Sequence, residues 1–236
     1  MKIYITRHGQ VTPKVYENSV DYPTGDIPLT SLGQEQAICL GKELRARNFK
    51  GRIISSPYRR TMMTADLAAN ECGAPVYADG ALREMFFSEE NANAFNGMDI
   101  ETLKLNFSHV AKDAILPYPW WTTCVDEQLD IIARLKSFWA TLLTAGCEEV
   151  LVVGHGASVF GSMFFFNKTF KLGLPDDPGE LGDFQASLNL NCNLSCIEIN
   201  QEGKLTSARL FATDHLPDSL LTSNTNPKPR PQEVLI

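Results

Sequence analysis

Three short apolar runs that end in basic or imidazole side chains constrain the fold more than any other feature of this sequence. Continuous apolar runs of this length are typical of buried strands in a parallel sheet. If the three runs lie parallel, their carboxyl ends bring two imidazoles and two or three guanidiniums to one sheet edge, a cluster typical of a site for a dianionic phosphate. The runs are Ile3-Tyr4-Ile5 before Arg7-His8-Gly9, residues 53–54 before Arg59-Arg60, and residues 150–153 before His155-Gly156.

Apolar runs and helix-period segments alternate along most of the chain. This alternation predicts an α/β fold in three layers, an α/β/α sandwich with a mostly parallel central sheet. We predict strands at about residues 2–6, 52–55, 75–77 and 149–153, and helices at about 31–47, 58–72, 126–145 and 157–166. Two antiparallel strands are expected at about 189–199 and 204–212. A chain of 236 residues, 44% of them hydrophobic, favours one domain over residues 1–236.

Two segments depart from this alternation. Residues 85–125 are rich in Asn, Phe, Met and aromatic side chains, which predicts a small, partly helical cap insertion over the site. Residues 214–236 carry Pro227, Pro229 and Pro231 close together, and proline cannot continue a regular element. We therefore expect an extended or mobile C-terminal tail.

Charge and cysteine usage exclude several classes. A net charge of −7 argues against a nucleic-acid binder, which needs a broad basic surface. No apolar run approaches the roughly 18 residues of a membrane helix, and Arg7 follows the N-terminus too soon for a secretory signal. Six cysteines without a C-x-x-C pair predict a reduced, cytoplasmic protein. Cys192 and Cys196 are expected on one face of the strand at 189–199, as small buried side chains.

The clustered residues suit phosphoryl transfer. Guanidiniums offset the negative charge that repels a nucleophile from a phosphate ester, and a neutral imidazole can then attack the phosphorus. We expect His8 to be the nucleophile. Arg7, Arg60 and His155 are expected to bind the phosphate, together with backbone donors at Gly156, where a helix is predicted to begin.

A leaving alkoxide needs a proton, and Glu84 stands in a suitable part of the chain. Partial burial beside a bound dianion would keep this carboxyl group protonated, so that it acts as a general acid. Glu84 is therefore the expected proton donor.

Five segments, in order, resemble the histidine phosphatase superfamily, also called phosphoglycerate-mutase-like. The resemblance implies that superfamily's three-layer fold, a transient phosphohistidine on His8, and phosphate binding by Arg7, Arg60 (not Arg59) and His155. It also implies proton donation by Glu84 and no required metal or other cofactor. The segments are Arg7-His8-Gly9-Gln10, residues 26–33 (DIPLTSLG), residues 56–65 (SPYRRTMMTA), Leu82-Arg83-Glu84 and Val153-Gly154-His155-Gly156.

The sequence departs from the superfamily pattern at two places. Gln10 stands where Glu is common, and residues 11–13 differ from the usual polar run, so no phosphate ligand is assigned there. After Glu84 the usual Gly and aromatic-Glu-Gly turn is replaced by residues 85–91, MFFSEEN. Glu89 and Glu90 therefore remain alternative proton donors beside Glu84.

The leading functional hypothesis is a metal-independent phosphatase that hydrolyses a small phosphorylated metabolite and binds inorganic phosphate. The runner-up is a phosphoglycerate mutase or related phosphotransferase, which needs further cations to hold a second anionic group. Residues 85–125 hold only Lys104 and Lys112 as cations, against five carboxylates, which favours hydrolysis of a less anionic or partly apolar ester. A catalytically weak phosphate-binding module is the third hypothesis. A zinc site on His8, His155 and Glu84 is disfavoured, because the arginines would repel a cation. The oligomeric state is left open.

Overall fold

The computed structural model describes residues 1–11, 26–175 and 188–222. Strands and helices alternate through the first two of these ranges, as the hydrophobic pattern predicts. The strands are β1 (Lys2–Arg7), β2 (Arg52–Ser55), β3 (Val76–Ala78), β4 (Glu149–Gly154), β5 (Leu194–Ile199) and β6 (Leu205–Ala212). The helices are α1 (Ser31–Ala46), α2 (Arg59–Cys72), α3 (Glu89–Ala94), α4 (Ile100–Asn106), α5 (Gln128–Thr144) and α6 (Gly156–Phe170).

The six strands form one mixed sheet in the order β3-β2-β4-β1-β5-β6. The first four are mutually parallel, and β5 and β6 add an antiparallel edge beside β1. Arg7 at the end of β1 pairs with Gly154 at the end of β4, and Ser55 at the end of β2 pairs with Val153. The carboxyl ends of β1, β2 and β4 therefore meet at one edge, and the predicted mostly parallel sheet is confirmed.

Two apolar clusters cover the two faces of the sheet. Tyr4 faces the cluster that holds the buried side chains of α1 and α2, whereas Ile3 and Ile5 face the one that holds those of α5 and α6. This alternation follows from the two-residue period of a strand. Each fully buried aliphatic or aromatic side chain stabilises the fold by about 1.5–3 kcal/mol. The three-layer α/β/α arrangement is thus the one the pattern predicts.

Residues 85–125 contain the short helices α3 and α4. Their buried side chains, among them Phe86, Phe95, Leu103 and Trp120, belong to the same apolar cluster as α2. The chain then runs beside β3, where the Val76 amide donates to the His109 carbonyl at 2.8 Å. This segment therefore shares the core of the α1–α2 face.

Three sequence-based predictions need correction. The strand expected at 189–199 begins only at Leu194. Residues 188–193 form a turn instead, in which Cys192 takes a left-handed φ of 51°. Cys192 thus lies outside the strand, and the same-face relation to Cys196 fails. Helix α6 continues to Phe170, since the buried Asn167 side chain exchanges hydrogen bonds with the Leu174 backbone and the Phe170 ring stacks on that of Phe166.

The third correction concerns the tail expected from residue 214. Asp218–Leu220 form one turn of 3-10 helix, and the Leu220 side chain is buried, because this turn packs on α1. The Gln36 amide of α1 donates to the Leu220 carbonyl at 2.6 Å. The remainder of the predicted tail, residues 223–236, lies outside the described residues.

Two further findings concern the cysteines and the lengths of the helices. All six cysteine thiols are unpaired. Among the helices of the described ranges, none combines the length and the apolar character needed to cross a bilayer.

Candidate active site

The ends of three parallel strands bring four predicted site residues together. Arg7 is the last residue of β1 and His8 follows it, Arg60 lies in the first turn of α2 after β2, and His155 follows β4 directly. The rings of His8 and His155 meet edge to face with their centroids 5.3 Å apart. We call these four residues the phosphate cluster, after the role that the sequence predicts for them, and all of them are buried.

The backbone fixes the orientation of the His8 ring. Its Nδ1 lies 2.7 Å from the Gly9 carbonyl oxygen, so the Nδ1–H donates to that carbonyl. The lone pair is then on Nε2, which lies 3.3 Å from the Nε of Arg60 and accepts from it. His8 is only 2% exposed. A neutral imidazole with Nε2 directed at a guanidinium has the form required of a nucleophile that attacks an anion bound there.

Close backbone packing explains why Gly follows His8. A Cβ at Gly9 would lie 2.4 Å from the Gly33 carbonyl oxygen, and one at Gly33 would lie 2.1 Å from that of Gln10. The turn after β1 thus packs directly on the first turn of α1, and the Gly9 amide donates to Thr64 of α2 at 3.1 Å. These contacts hold the backbone that carries His8.

Gln10 and Asp26, two positions of the matching motifs, hold the elements around the site. The Gln10 side-chain oxygen accepts from the Thr30 hydroxyl at 2.9 Å, and Thr30 caps the N-terminus of α1. The buried Asp26 carboxylate accepts from the Arg59 amide at 2.5 Å, so it supplies the cap that the side chain of Tyr58 does not provide for α2. Gln10 therefore has a packing role in this chain.

The turn before β5 holds the guanidinium of Arg7. Its Nη1 donates to the Asn189 carbonyl, and its buried Nε has no hydrogen-bond partner among the described residues. Burial lowers the pKa of Arg7 to about 10, with Glu84 opposing and Arg60 adding to the shift. Arg7 is therefore charged at neutral pH, and its Nε–H is a donor without a partner among the described residues.

His155 begins α6 beneath an aromatic ring. Its Nε2 lies 2.8 Å from the Ser56 hydroxyl, and the Tyr58 ring packs on it edge to face at 4.9 Å. Burial first, and then the charge of Arg60, hold the pKa of His155 well below its usual range. Burial, followed by Arg7 and Arg60, lowers the pKa of His8 in the same way. Both imidazoles are therefore neutral at neutral pH.

Glu84 is the carboxyl group that reaches the phosphate cluster. Its Oε2 lies 3.8 Å from the Nδ1 of His155, and its side chain is 22% exposed. Glu89 and Glu90, the alternative donors, stand in the first turn of α3 with exposed side chains. The geometry therefore favours Glu84 over both.

Buried charges fix the loop of residues 83–87, which we call the Glu84 loop. The Arg83 guanidinium donates to both oxygens of Asp126, at 2.5 and 2.6 Å, and the same carboxylate accepts from the Phe86 amide at 3.0 Å. Burial raises the pKa of Asp126, but the hydrogen bonds from Arg83 and Phe86, together with the charges of Arg83 and Arg134, hold this pKa below its usual value.

Arg134 of α5 also contacts the Glu84 loop. Its Nη2 donates to the Arg83 carbonyl at 3.1 Å. Burial, with Arg83 as the next cause, lowers the pKa of Arg134 to about 10. Glu84 is thus carried by a segment that is braced by Asp126 and Arg134.

A cleft of about 390 Å³ opens beside the phosphate cluster. Arg7, Glu84, Gly156 and Asn189 line the end nearest the phosphate cluster. The wall beyond them is formed by residues of the Glu84 loop, α5 and α6, namely Met85, Phe87, Gln128, Ile131, Ala157 and Phe160. Arg7 is the member of the phosphate cluster that lines this cleft, and Gly156 directly follows His155.

The donor set does not suit a metal ion. No group of three or more His, Cys, Asp or Glu side chains that could hold one occurs in residues 1–11, 26–175 and 188–222. Two imidazoles and Glu84 do lie near each other, but the guanidiniums of Arg7 and Arg60 stand beside them and repel a cation. The charge of this site is complementary to an anion.

Several residues at the site do not follow from the motif positions. Asn189 and Asn191 come from the turn before β5, where Asn191 donates to the His8 carbonyl at 2.9 Å. The only signal for them is the Asn-rich run at residues 189–193. Asp126 and Arg134 carry no local signal, because each acts on a segment more than 40 residues away.

Comparison with known protein families identifies the superfamily of this chain. A family model described as the histidine phosphatase superfamily (branch 1) matches residues 3–164. The chain belongs to the histidine phosphatase superfamily. The matched range runs from β1 into α6 and includes Arg7, His8, Arg60, Glu84 and His155.

The curated relatives within this superfamily match only part of the chain. The probable phosphoglycerate mutase GpmB of Salmonella choleraesuis is 35% identical over 85 residues, which are 36% of this chain and 38% of that protein. The protein of the same name from Salmonella arizonae gives the same figures. The alignment therefore spans well under half the length of these relatives.

Solved structures match over nearly the whole chain. Bacillus stearothermophilus YhfR has a TM-score of 0.57 at 22% identity and covers 93% of this chain and 98% of its own. A phosphoserine phosphatase from Entamoeba histolytica, in complex with phosphoserine, gives 0.58 at 20%, covering 92% and 99%. The ecdysone phosphate phosphatase from Bombix mori, in complex with tungstate, gives 0.60 at 16%, covering 95% and 96%. At these identities the likeness establishes the phosphoglycerate-mutase-like fold.

Proposed function

We propose that this protein is a metal-independent phosphatase that hydrolyses a small phosphomonoester through a phosphohistidine on His8. The observation that carries the proposal is the buried Nε2 lone pair of His8, 3.3 Å from the Arg60 guanidinium. Arg7 and His155 stand beside it, and Glu84 lies at the open side. A nucleophile, an anion clamp and a proton donor are thus within reach of one phosphoryl group.

In the first step, Arg7, Arg60 and His155 hold the phosphoryl oxygens, together with the backbone at Gly156. The positive groups offset the charge that repels a nucleophile. The His8 Nε2 lone pair forms the N–P bond while the bond from phosphorus to the ester oxygen breaks. Glu84 gives its proton to the leaving oxygen, so the alcohol departs neutral.

In the second step, water takes the place of the alcohol. The Glu84 carboxylate accepts a proton from this water as its oxygen attacks the phosphorus. The N–P bond breaks, inorganic phosphate is released, and His8 returns to the neutral form with its proton on Nδ1. The hydrogen bond to the Gly9 carbonyl keeps this tautomer throughout.

Hydrolysis is favoured over mutase chemistry by the charges around the cleft. We propose that residues 85–125 act as the cap of a single domain. Their cations are Lys104 and Lys112, and Lys104 already pairs with Glu101 at 3.3 Å. Among the described residues that line the cleft there is no lysine. A mutase must hold a second anionic group while water is excluded, and this cap is poorly charged for that task.

The mutase remains the second candidate because curated relatives carry that name, and a weak phosphate-binding module is the third. The expected partners are a small phosphorylated metabolite and inorganic phosphate. We propose a reducing, cytoplasmic location, because all six thiols are unpaired.

The proposal is tested by assaying the purified protein with a panel of phosphate esters in millimolar EDTA. Free phosphate and isomerised product are both followed. We expect phosphate release that EDTA leaves unchanged, and negligible 2-phosphoglycerate from 3-phosphoglycerate. Isomer exchange faster than phosphate release, with or without bisphosphoglycerate, would establish the mutase instead. Loss of activity in EDTA that zinc restores would contradict the metal-independent mechanism, and binding without turnover would favour the third candidate.

A further inference from the structure

The cleft continues past the phosphate cluster along the first turns of α5 and α6. Its outer wall holds five apolar side chains and one uncharged amide, that of Gln128. The five apolar residues come from three separate segments of the chain, namely Met85 and Phe87, Ile131, and Ala157 with Phe160. With the phosphoryl half held at the strand ends, as proposed above, this wall is the part of the cleft that faces the alcohol half of an ester.

Both charged groups that line the cleft already have roles in the proposed reaction. They are Arg7, which belongs to the phosphate cluster, and Glu84, which handles the proton. Within the described residues the lining contains no other charged side chain. A second phosphate or a carboxylate on the alcohol would therefore lose water without gaining an ionic partner, which is strongly unfavourable.

Phe87 gives this wall an exposed aromatic edge. Its side chain is 74% exposed, although it also lines the cleft. The adjacent Phe86 is buried and its amide is held by Asp126, so Phe87 stands on a fixed backbone. Covering such a ring with an apolar group is favourable because apolar surface leaves water.

We propose that the alcohol half of the substrate is apolar and uncharged, and that the wall of Met85, Phe87, Ile131 and Phe160 selects it. This inference rests on the proposed phosphatase activity and names its substrate class. It predicts discrimination against phosphorylated hydroxy acids and amino acids, whose carboxylates find no partner in the described cleft.

A series of n-alkyl phosphates from ethyl to hexyl tests the proposal, because these esters differ in apolar length and hardly in leaving-group chemistry. We expect kcat/KM to rise about threefold to fourfold per methylene until the wall is filled, as burial of one methylene predicts. The ester 4-phosphonooxybutanoate, which ends in a carboxylate, is expected to fall at least about tenfold below butyl phosphate. Hexylphosphonate should inhibit more strongly than ethylphosphonate, by the same factor of about threefold to fourfold per methylene.

Two matched variants locate the effect. Phe87→Lys is expected to reduce the chain-length dependence and to raise kcat/KM for 4-phosphonooxybutanoate about tenfold, because it places a cation at the wall. Leu105→Lys adds the same charge on α4, where the side chain is 87% exposed and does not line the cleft. The Leu105→Lys profile should match that of the wild type.

The outcomes separate this proposal from the one on which it rests. If p-nitrophenyl phosphate is hydrolysed but the alkyl series is flat, or the carboxylated ester is preferred, the substrate class is wrong and the phosphatase stands. If Leu105→Lys changes selectivity as much as Phe87→Lys, the wall is not the selecting surface. If no ester releases phosphate, both proposals fail.

Discussion

The phosphate cluster and the Glu84 loop lie side by side, but different interactions hold them. Arg7 ends a parallel strand, and His8 and His155 directly follow one, so backbone ladders such as the pairing of Arg7 with Gly154 fix them, while Arg60 lies in the first turn of the helix after β2. The Glu84 loop has no strand beneath it and is held by the buried ion pair of Arg83 with Asp126. The comparison teaches that the placement of the predicted phosphate-binding residues depends on the fold itself, whereas the placement of the predicted proton donor depends on a few removable side-chain contacts.

The largest expected effect is on the phosphate cluster. His8→Ala should lower kcat by at least about 10⁴-fold for every ester, because it removes the nucleophile. The fold should persist, since the His8 backbone amide and carbonyl keep their bonds to Gly154 and Asn191. Steady-state phosphate release and a thermal melt measure both points. His109→Ala is the control. Substantial turnover by folded His8→Ala protein would exclude the mechanism.

Glu84→Gln should separate the two regions. The first turnover of an alkyl phosphate is expected to slow by about 10²–10⁴-fold, the usual range for a lost general acid. Release of p-nitrophenol in the first turnover should change far less, because that leaving group needs no proton. Rapid-quench measurement is required, since hydrolysis of the intermediate also uses Glu84. Glu89→Gln is the matched control. Equal losses on both esters would assign Glu84 a structural role and return attention to Glu89 and Glu90.

Asp126→Asn tests whether the loop is positioned by its ion pair. We expect a loss of about 10–100-fold in the first turnover of alkyl phosphates, with a much smaller loss for the p-nitrophenyl ester. Asp113→Asn, an exposed carboxylate near β3, is the control.

Because breaking a buried ion pair is destabilising, the pair Arg83→Met with Asp126→Leu should accompany Asp126→Asn. This double variant should recover the melting temperature without recovering alkyl-ester turnover. Equal losses on both esters in the folded double variant would mean that the ion pair does not position Glu84.

The smallest expected effect is on the pH dependence of the free energy of unfolding. The pKa values of His8 and His155 lie well below the usual value in the folded protein, so the unfolded chain binds more protons below about pH 6.5. Stability should therefore fall as pH falls below 6.5, by up to about 1.4 kcal/mol per pH unit for each imidazole. Urea unfolding in phosphate-free buffer measures this slope. His155→Gln should flatten it; an unchanged slope in His155→Gln would contradict the lowered pKa.

The contrast between the phosphate cluster and the Glu84 loop also explains what the sequence could predict. The parallel alignment of the strands near the site and the gathering of Arg7, His8, Arg60 and His155 follow from local patterns, because an apolar run and the residues after it are close together in the chain. The superfamily assignment follows from motifs of the same local kind, and it is confirmed. The roles of the site residues stay predictions.

The sequence could not predict the contacts that cross the chain. The composition of residues 188–193 is typical of a strand. In the structure these residues form a turn, and the Cys192 amide donates a hydrogen bond to the Arg7 carbonyl at 3.1 Å. Asp126 and Arg134 read as ordinary charges of a loop and a helix. Only the folded chain brings Asp126 to Arg83, 43 residues away, and no periodicity encodes such a pairing.

The most direct test of the central claim, that His8 receives the phosphoryl group, is to trap it there. Glu84→Gln enzyme is mixed with phosphorus-labelled p-nitrophenyl phosphate, because that ester needs no acid to leave while hydrolysis of the intermediate slows. After an alkaline quench, peptide mapping should recover acid-labile label on His8, with none on the Glu84→Gln protein that also carries His8→Ala. Label on His155, or acid-stable label on a serine or cysteine, would contradict the mechanism.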